Sequence, residues 1–170
     1  MTEERTRSVR DEILHVSTRM FARHGFSGTS LQRIVDEVGI RKPSLLHHFR
    51  SKDALRQAVL DSLFGHWTER IPGLLQAFAG GRARFEALMQ ELLRFFLEDP
   101  DRARLIVREL MDRPDDVRQR LRQTLGPWVQ LLGDSIRQSQ QAGQLRSDLD
   151  PESYLVHMVT LTISTAASMP

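Results

Sequence analysis

Cysteine is absent from this chain of 170 residues, which excludes disulfides, thiol redox sensing, cysteine-bound zinc and cysteine nucleophiles. No run approaches the ~18 consecutive apolar residues of a membrane span. The start, MTEERTRSVRDE, lacks the apolar stretch of a secretory leader, so a soluble cytoplasmic protein is expected. Enzyme signatures are missing as well: there is no H-E-x-x-H, P-loop or G-x-S-x-G. His47 and His48 are adjacent, so on a helix they point about 100° apart and cannot serve one site. The acidic groups Glu98-Asp99-Asp101 and Asp115-Asp116 fall at helix starts, where they complement the helix dipole. No catalytic residue, metal site or cofactor is expected, and the chain is read as a non-enzyme. Strand-like alternation is missing from Leu55 onward.

What is present is an ordinary globular composition, 40% hydrophobic and 27% charged, enough for one core or two small ones. Charge is distributed unevenly. Residues 1–60 carry 11 Lys+Arg and 7 Asp+Glu, net +4, and residues 61–170 carry 13 and 15, net −2. The two lysines of the chain, Lys42 and Lys52, fall in one short segment. That asymmetry points toward a polyanion more clearly than the overall net charge of +2 does.

The segment is TSLQRIVDEVGIRKPSLLHHFRSK, residues 29–52. Thr29 and Gln32 have the spacing of a reciprocal capping box, and Leu31, Ile34, Val35 and Val38 share one helical face. Gly39 supplies the positive φ that ends this helix, and Pro43 suits the first turn of the next. Two short helices joined so tightly must cross. Leu45 and Phe49 give the second an inner edge, leaving Arg41, Lys42, Ser44, His47 and His48 outside or at its start. These outward groups are basic or hydrogen-bonding, as reading phosphates and base edges requires. A solvated polar face on a helical hairpin has the same pattern. Before the segment, Ile13, Val16, Met20 and Phe21 line a helix over residues 5–24 that stops at Gly25-Phe26. After it, Ser51 caps a helix whose stripe is Leu55, Val59, Leu63 and Trp67.

The run FARHGFSGTSLQRIVDEVGIRKPSLLHHFRSKDAL, within a match over residues 8–60, resembles the TetR family of ligand-responsive bacterial transcriptional repressors. The resemblance implies an all-α fold. An amino-terminal three-helix DNA-binding domain with a helix-turn-helix would span residues 1–53. A helical effector-binding and dimerisation domain would span residues 54–170. It implies DNA contacts from Thr29, Ser30 and Gln32 on the positioning helix, and from Arg41, Lys42, Pro43 and Ser44 at the start of the recognition helix. His47, His48 and Lys52 would meet the backbone. Leu46 departs from the pattern, standing where the family most often has tyrosine. The implied partners are a palindromic operator, a second copy of the chain and a small-molecule effector, with release from DNA through altered spacing of the two reading helices. Family members dimerise through their last two helices, and Pro170 falls about where only the first should end. Either a final helix is missing or residues 151–169 and the long preceding helix are used differently.

Beyond Leu55, breaks are expected near Pro72-Gly73, Gly80-Gly81, Asp99-Pro100, Arg113-Pro114 and from Gly143 to Pro151. Phe85, Leu88, Met89, Leu92, Leu93 and Phe96 mark one amphipathic helix. Leu105, Ile106 and Leu110 mark a shorter one, and Val117 to Ile136 a long one kinked at Gly126-Pro127. The last, from Asp150-Pro151, is apolar on more than one side. Trp67, Phe78, Phe85, Met89, Phe96, Met111 and Trp128 offer bulky, adaptable surfaces for an effector, with His157 as a polar candidate. The same residues would serve as plain core. A helical protein-interaction module without a DNA role is the alternative function, and a small all-α enzyme a more distant one.

Overall fold

The computed structural model of the chain describes residues 8–77 and 81–169. Phe78, one of the expected effector residues, lies outside them. Among the described residues there are eight helices and no strand: α1 Val9–Gly28, α2 Leu31–Val38, α3 Lys42–His48, α4 Lys52–Ala77, α5 Gly81–Glu98, α6 Pro100–Asp112, α7 Pro114–Gln141 and α8 Pro151–Ala167. No helix among these residues is long and apolar enough to cross a membrane. The chain forms two compact units, residues 1–63 and 64–170, so the division falls inside α4 rather than at its start.

In the first unit, Ile13, Val16, Met20 and Phe21 of α1 pack with Ile34 and Val35 of α2, Leu45 of α3, Phe49, and Leu55 and Val59 of α4, all buried. The 3.6-residue periodicity places each on an inner face. α1 is broken at Gly25, whose φ of 72° and ψ of 169° belong to a region that is essentially glycine's alone. The chain turns there, and Phe26 comes back against Phe21 with ring centroids 5.8 Å apart.

The second unit is built on Trp67 and Ile71 of α4, Leu88, Leu92, Phe95 and Phe96 of α5, Leu105 and Ile106 of α6, Val117 of α7, and Leu155 of α8. Leu93, assigned to the inner face of α5, is 46% exposed, and Phe95 takes that role. The expected break at Pro72-Gly73 does not occur. α4 runs on to Ala77 with Pro72 inside it. Pro72 removes one backbone bond, and the buried Ile71 beside it holds the helix in place. α7, expected to kink rather than end at Gly126-Pro127, is one helix with Pro127 inside it. The breaks at Asp99-Pro100, Arg113-Pro114 and from Gly143 to Pro151 fall as expected, and Gly80 of the remaining one lies outside the described residues. Asp99 caps α6 by accepting from Asp101 N at 3.1 Å, and Asp150 caps α8 by accepting from Ser153 N at 2.8 Å. Gln140 Nε2 donates to the carbonyls of Arg146 and Leu149, at 2.6 and 2.8 Å, and organises the connection between α7 and α8. Arg104 of α6 donates through Nε to the Ala167 carbonyl at 3.2 Å, tying down the end of α8.

Candidate nucleic-acid interface and effector region

The positioning helix α2 is capped by Ser30, not Thr29. Ser30 Oγ accepts from Arg33 N at 3.2 Å. Thr29 is 1% exposed, and its hydroxyl donates toward the carbonyls of Met20 at 3.1 Å and Gly25 at 2.8 Å. It fastens α2 to α1, so its side chain is withdrawn from the surface where a DNA contact was expected. Gln32, the other half of the expected capping box, is exposed and instead donates to Asp36 at 2.8 Å. α2 ends at Gly39 with φ 77° and ψ 30°, the left-handed conformation the sequence requires there. Gly39 N and Ile40 N both donate to the Val35 carbonyl, at 2.9 and 3.0 Å.

α3 starts from Arg41 as N-cap, with Pro43 in its first turn where no donor is lost. Leu45 and Phe49 anchor it at 0% and 4% exposure. Everything else on it is outside: Arg41, Lys42, Pro43, Ser44, Leu46, His47 and His48 are all exposed. No ion pair among the described residues occupies Arg41 or Lys42. A third exposed cation, Arg50, follows α3; its position directly before Ser51-Lys52 was the signal available in the sequence. Ser51 Oγ accepts from Ala54 N at 3.0 Å and so starts α4. Lys52 is half-buried, its Nζ held 4.3 Å from the centre of the Phe26 ring. Arg10 covers Phe49 in the same manner, at 5.4 Å. The result is a short rod with a cationic, hydrogen-bonding outer surface on a rigid apolar base.

Of the residues expected around an effector, Trp67 and Phe96 are buried together, their ring centres 6.5 Å apart, with Phe95 between them at 5.1 and 5.0 Å. Phe85 is half-buried and stacks on Tyr154 at 5.8 Å, and Met89 and Trp128 are also half-buried. Two expectations fail. Met111 is 79% exposed at the end of α6, and His157 lies on the exposed side of α8. Neither lines the interior of the second unit, because α6 and α8 turn Leu105, Ile106 and Leu155 inward instead.

His66 and Glu91 belong to no motif in the sequence, yet folding brings them together. Glu91 is 5% exposed and receives Arg94 Nη2 at 2.7 Å, Arg70 Nε at 3.2 Å and His66 Nε2 at 3.1 Å. Burial alone would raise its pKa, but the bonds and charge of Arg94, with Arg70 and His66, hold the carboxyl below the usual carboxylate range. His66 stacks on Phe95 at 4.3 Å, and its burial outweighs Glu91 and lowers its pKa below the ordinary 6.5. The signal was a carboxylate on the apolar side of α5, in register with Leu88 and Phe95.

Residues 13–59 match the family model for the amino-terminal domain of bacterial regulatory proteins of the tetR family, and residues 105–169 match that for the tetracyclin repressor-like carboxy-terminal domain. The transcriptional repressor KstR2 of Mycolicibacterium smegmatis is 30% identical over 165 residues, covering 88% of this chain and 73% of the relative. Among solved structures, the ketosteroid regulator KstR2 of Mycobacterium tuberculosis superposes with a TM-score of 0.76 at 22% identity, covering 98% of this chain and 87% of that one. AibR in complex with isovaleryl coenzyme A and operator DNA gives 0.76 at 18% identity, covering 96% and 88%. The two matched domains fall on the helix-turn-helix unit and the helical unit described above, and the chain belongs to the TetR family of transcriptional regulators, which act by binding DNA and are not enzymes.

Proposed function

We propose that the chain acts in the cytoplasm as a homodimeric repressor that holds a palindromic operator until a small-molecule effector releases it. The observation that carries this reading is the complete exposure of α3's polar side while Leu45 and Phe49 fix its base. Arg41, Lys42, Pro43 and Ser44 would meet base edges and nearby phosphate, with Ser30, Gln32, His47, His48 and Lys52 on the backbone. One seven-residue helix reads few base pairs, so affinity calls for two copies about 34 to 36 Å apart, or a multiple of that. α8 leaves Val156 and Leu161 uncovered at 57% and 63%, as a helix buried against a second copy would.

The effector would lie in the second unit against Trp67, Phe85, Met89, Phe96 and Trp128, a wall suited to a largely apolar molecule. AibR, with the same fold, was solved with isovaleryl coenzyme A, so short-chain and long-chain acyl-coenzyme A thioesters are the first probes to try. The test is selection of bound sequences from a random duplex pool, followed by challenge of the enriched site with those thioesters and with other metabolite pools. An enriched palindrome whose binding weakens steeply with salt is expected. Salt-insensitive binding with no enriched site would instead favour the protein-interaction module.

A further inference from the structure

Four cations stand over aromatic rings among the described residues, and their surroundings separate them. Arg56 is buried, and Arg102, in the second unit, donates to the Phe95 carbonyl at 2.7 Å and pairs with Asp99. The other two are Lys52, 4.3 Å from the centre of Phe26, and Arg10, 5.4 Å from the centre of Phe49. Lys52 is the cation that the family resemblance places on a phosphate. Arg10 belongs to none of the contacts that the resemblance implies. It stands exposed in the first turn of α1. The carboxylate of its neighbour Asp11 accepts from the Ser8 hydroxyl at 2.7 Å, and among the described residues no ion pair takes up the Arg10 guanidinium. Its seat, Phe49, is the C-cap of α3 and is 4% exposed, so the guanidinium is held against the base of the recognition helix itself. The exposed His48 ring lies 6.3 Å from the same Phe49 ring, and the exposed Arg50 follows it in the chain. Arg10 and Arg50 thus bring like charges to the same end of α3, an arrangement that an anion relieves.

We propose that Arg10 is a further phosphate-binding residue of the DNA interface, held on Phe49 as Lys52 is held on Phe26. The inference rests on the reading of α3 as the DNA-reading helix. It lies wholly within the first unit, so one copy of the chain suffices. A guanidinium presents paired donors that match two oxygens of a phosphate, and one already seated on a ring has less freedom to lose on binding.

Arg10→Met keeps an apolar stem over Phe49 and removes the charge. On duplexes of random sequence it should lower affinity and reduce the slope of log affinity against log salt by about one. On the selected operator it should leave sequence preference unchanged, because a phosphate carries no sequence. Arg10→Lys, which keeps the charge, should retain the slope. Neutral methylphosphonate linkages, placed one at a time along that operator, should reveal a phosphate whose neutralisation weakens the wild-type chain several-fold and Arg10→Met not at all. If Arg10 only shields Phe49 from water, Arg10→Met will have a lower urea midpoint and an unchanged salt slope, and the proposal is overturned. It is overturned equally by linkages that affect both chains alike at every position. A wild-type chain that binds no duplex at low ionic strength removes the reading of α3 itself, and this assignment with it.

Discussion

Lys52 and the pair Arg41 and Lys42 are cations on one proposed interface, but their surroundings give them different work. Lys52 is half-buried with its ammonium fixed over Phe26, a point charge in one place that suits a phosphate. Arg41 and Lys42 stand exposed at the start of α3, with the freedom to meet base edges. Lys52→Ala should therefore weaken binding to every duplex alike and reduce the slope of log affinity against log salt by about one. Arg41→Ala or Lys42→Ala should cost about 1 to 3 kcal/mol on the selected operator and relax its sequence preference. Equal losses on all sequences from all three variants would refute base reading by α3. His66 and Glu91 make a separate prediction about acid. Glu91 and Arg94 from α5, Arg70 from α4 and Arg102 from α6 are the charged groups around His66. Burial holds the His66 pKa below 6.5, so as pH falls through 6.5 the unfolded chain takes up the proton first and stability declines. Glu91 is held below 4.5, so its contribution persists above that pH and disappears as pH falls through its folded value. Denaturant midpoints measured from pH 7 down to about pH 2 should decline in two stages. His66→Asn should flatten the upper stage, and Glu91→Gln the lower.

At the scale of elements, the turn between α2 and α3 is the most exacting piece of local structure. A Cβ at Gly39 would meet nothing within 4 Å, so any cost of substitution there comes from φ alone. Gly39→Ala should lose about 1 to 2 kcal/mol in urea unfolding, and Gly39→Val more, because a branched side chain at positive φ is strained further. Ser30→Ala should lose about 1 kcal/mol as a missing N-cap. The turn, the inner faces of α1 to α3 and the exposure of α3 were legible because each depends on residues a few positions apart. Thr29 was misread because its capping spacing was as good as that of Ser30, and only the distant carbonyls of Met20 and Gly25, brought near by folding, decide between them. Pro72 was misread for a related reason: the local rule ends a helix there, and tertiary burial of Ile71 overrides it. Around the effector region, periodicity identified Trp67 and Phe96 as inner residues but could not say which side of α6 or α8 is covered, so Met111 and His157 were placed inside when both face out. The Glu91 cluster was hidden because a carboxylate on an apolar stripe has no meaning until its partners on α4 are known.

For the whole molecule, the proposed dimer on DNA would draw on both the uneven charge and the uncovered apolar residues of α8. The net +4 of residues 1–60 gives affinity for any duplex, but this affinity is shared by every sequence and screened by salt. On the proposed reading, selectivity for a palindrome needs the second copy, and of the exposed apolar side chains Val156 and Leu161 are the pair on α8 that such a copy would bury. Each such side chain contributes about 1.5 to 3 kcal/mol when fully buried. Placing a carboxylate there instead removes that gain and adds the cost of an uncompensated charge. The double substitution Val156→Glu with Leu161→Glu leaves the core of the second unit untouched, since both residues point away from Leu155 and Ala166. It should shift the protein to monomer in sedimentation equilibrium at micromolar concentration, with little change in unfolding of the subunit. Palindrome binding should then fall to the level of a half-site, and the salt slope per molecule should not change. A variant that remains dimeric, or one that becomes monomeric and still prefers the palindrome, would place the dimer contact elsewhere on the chain.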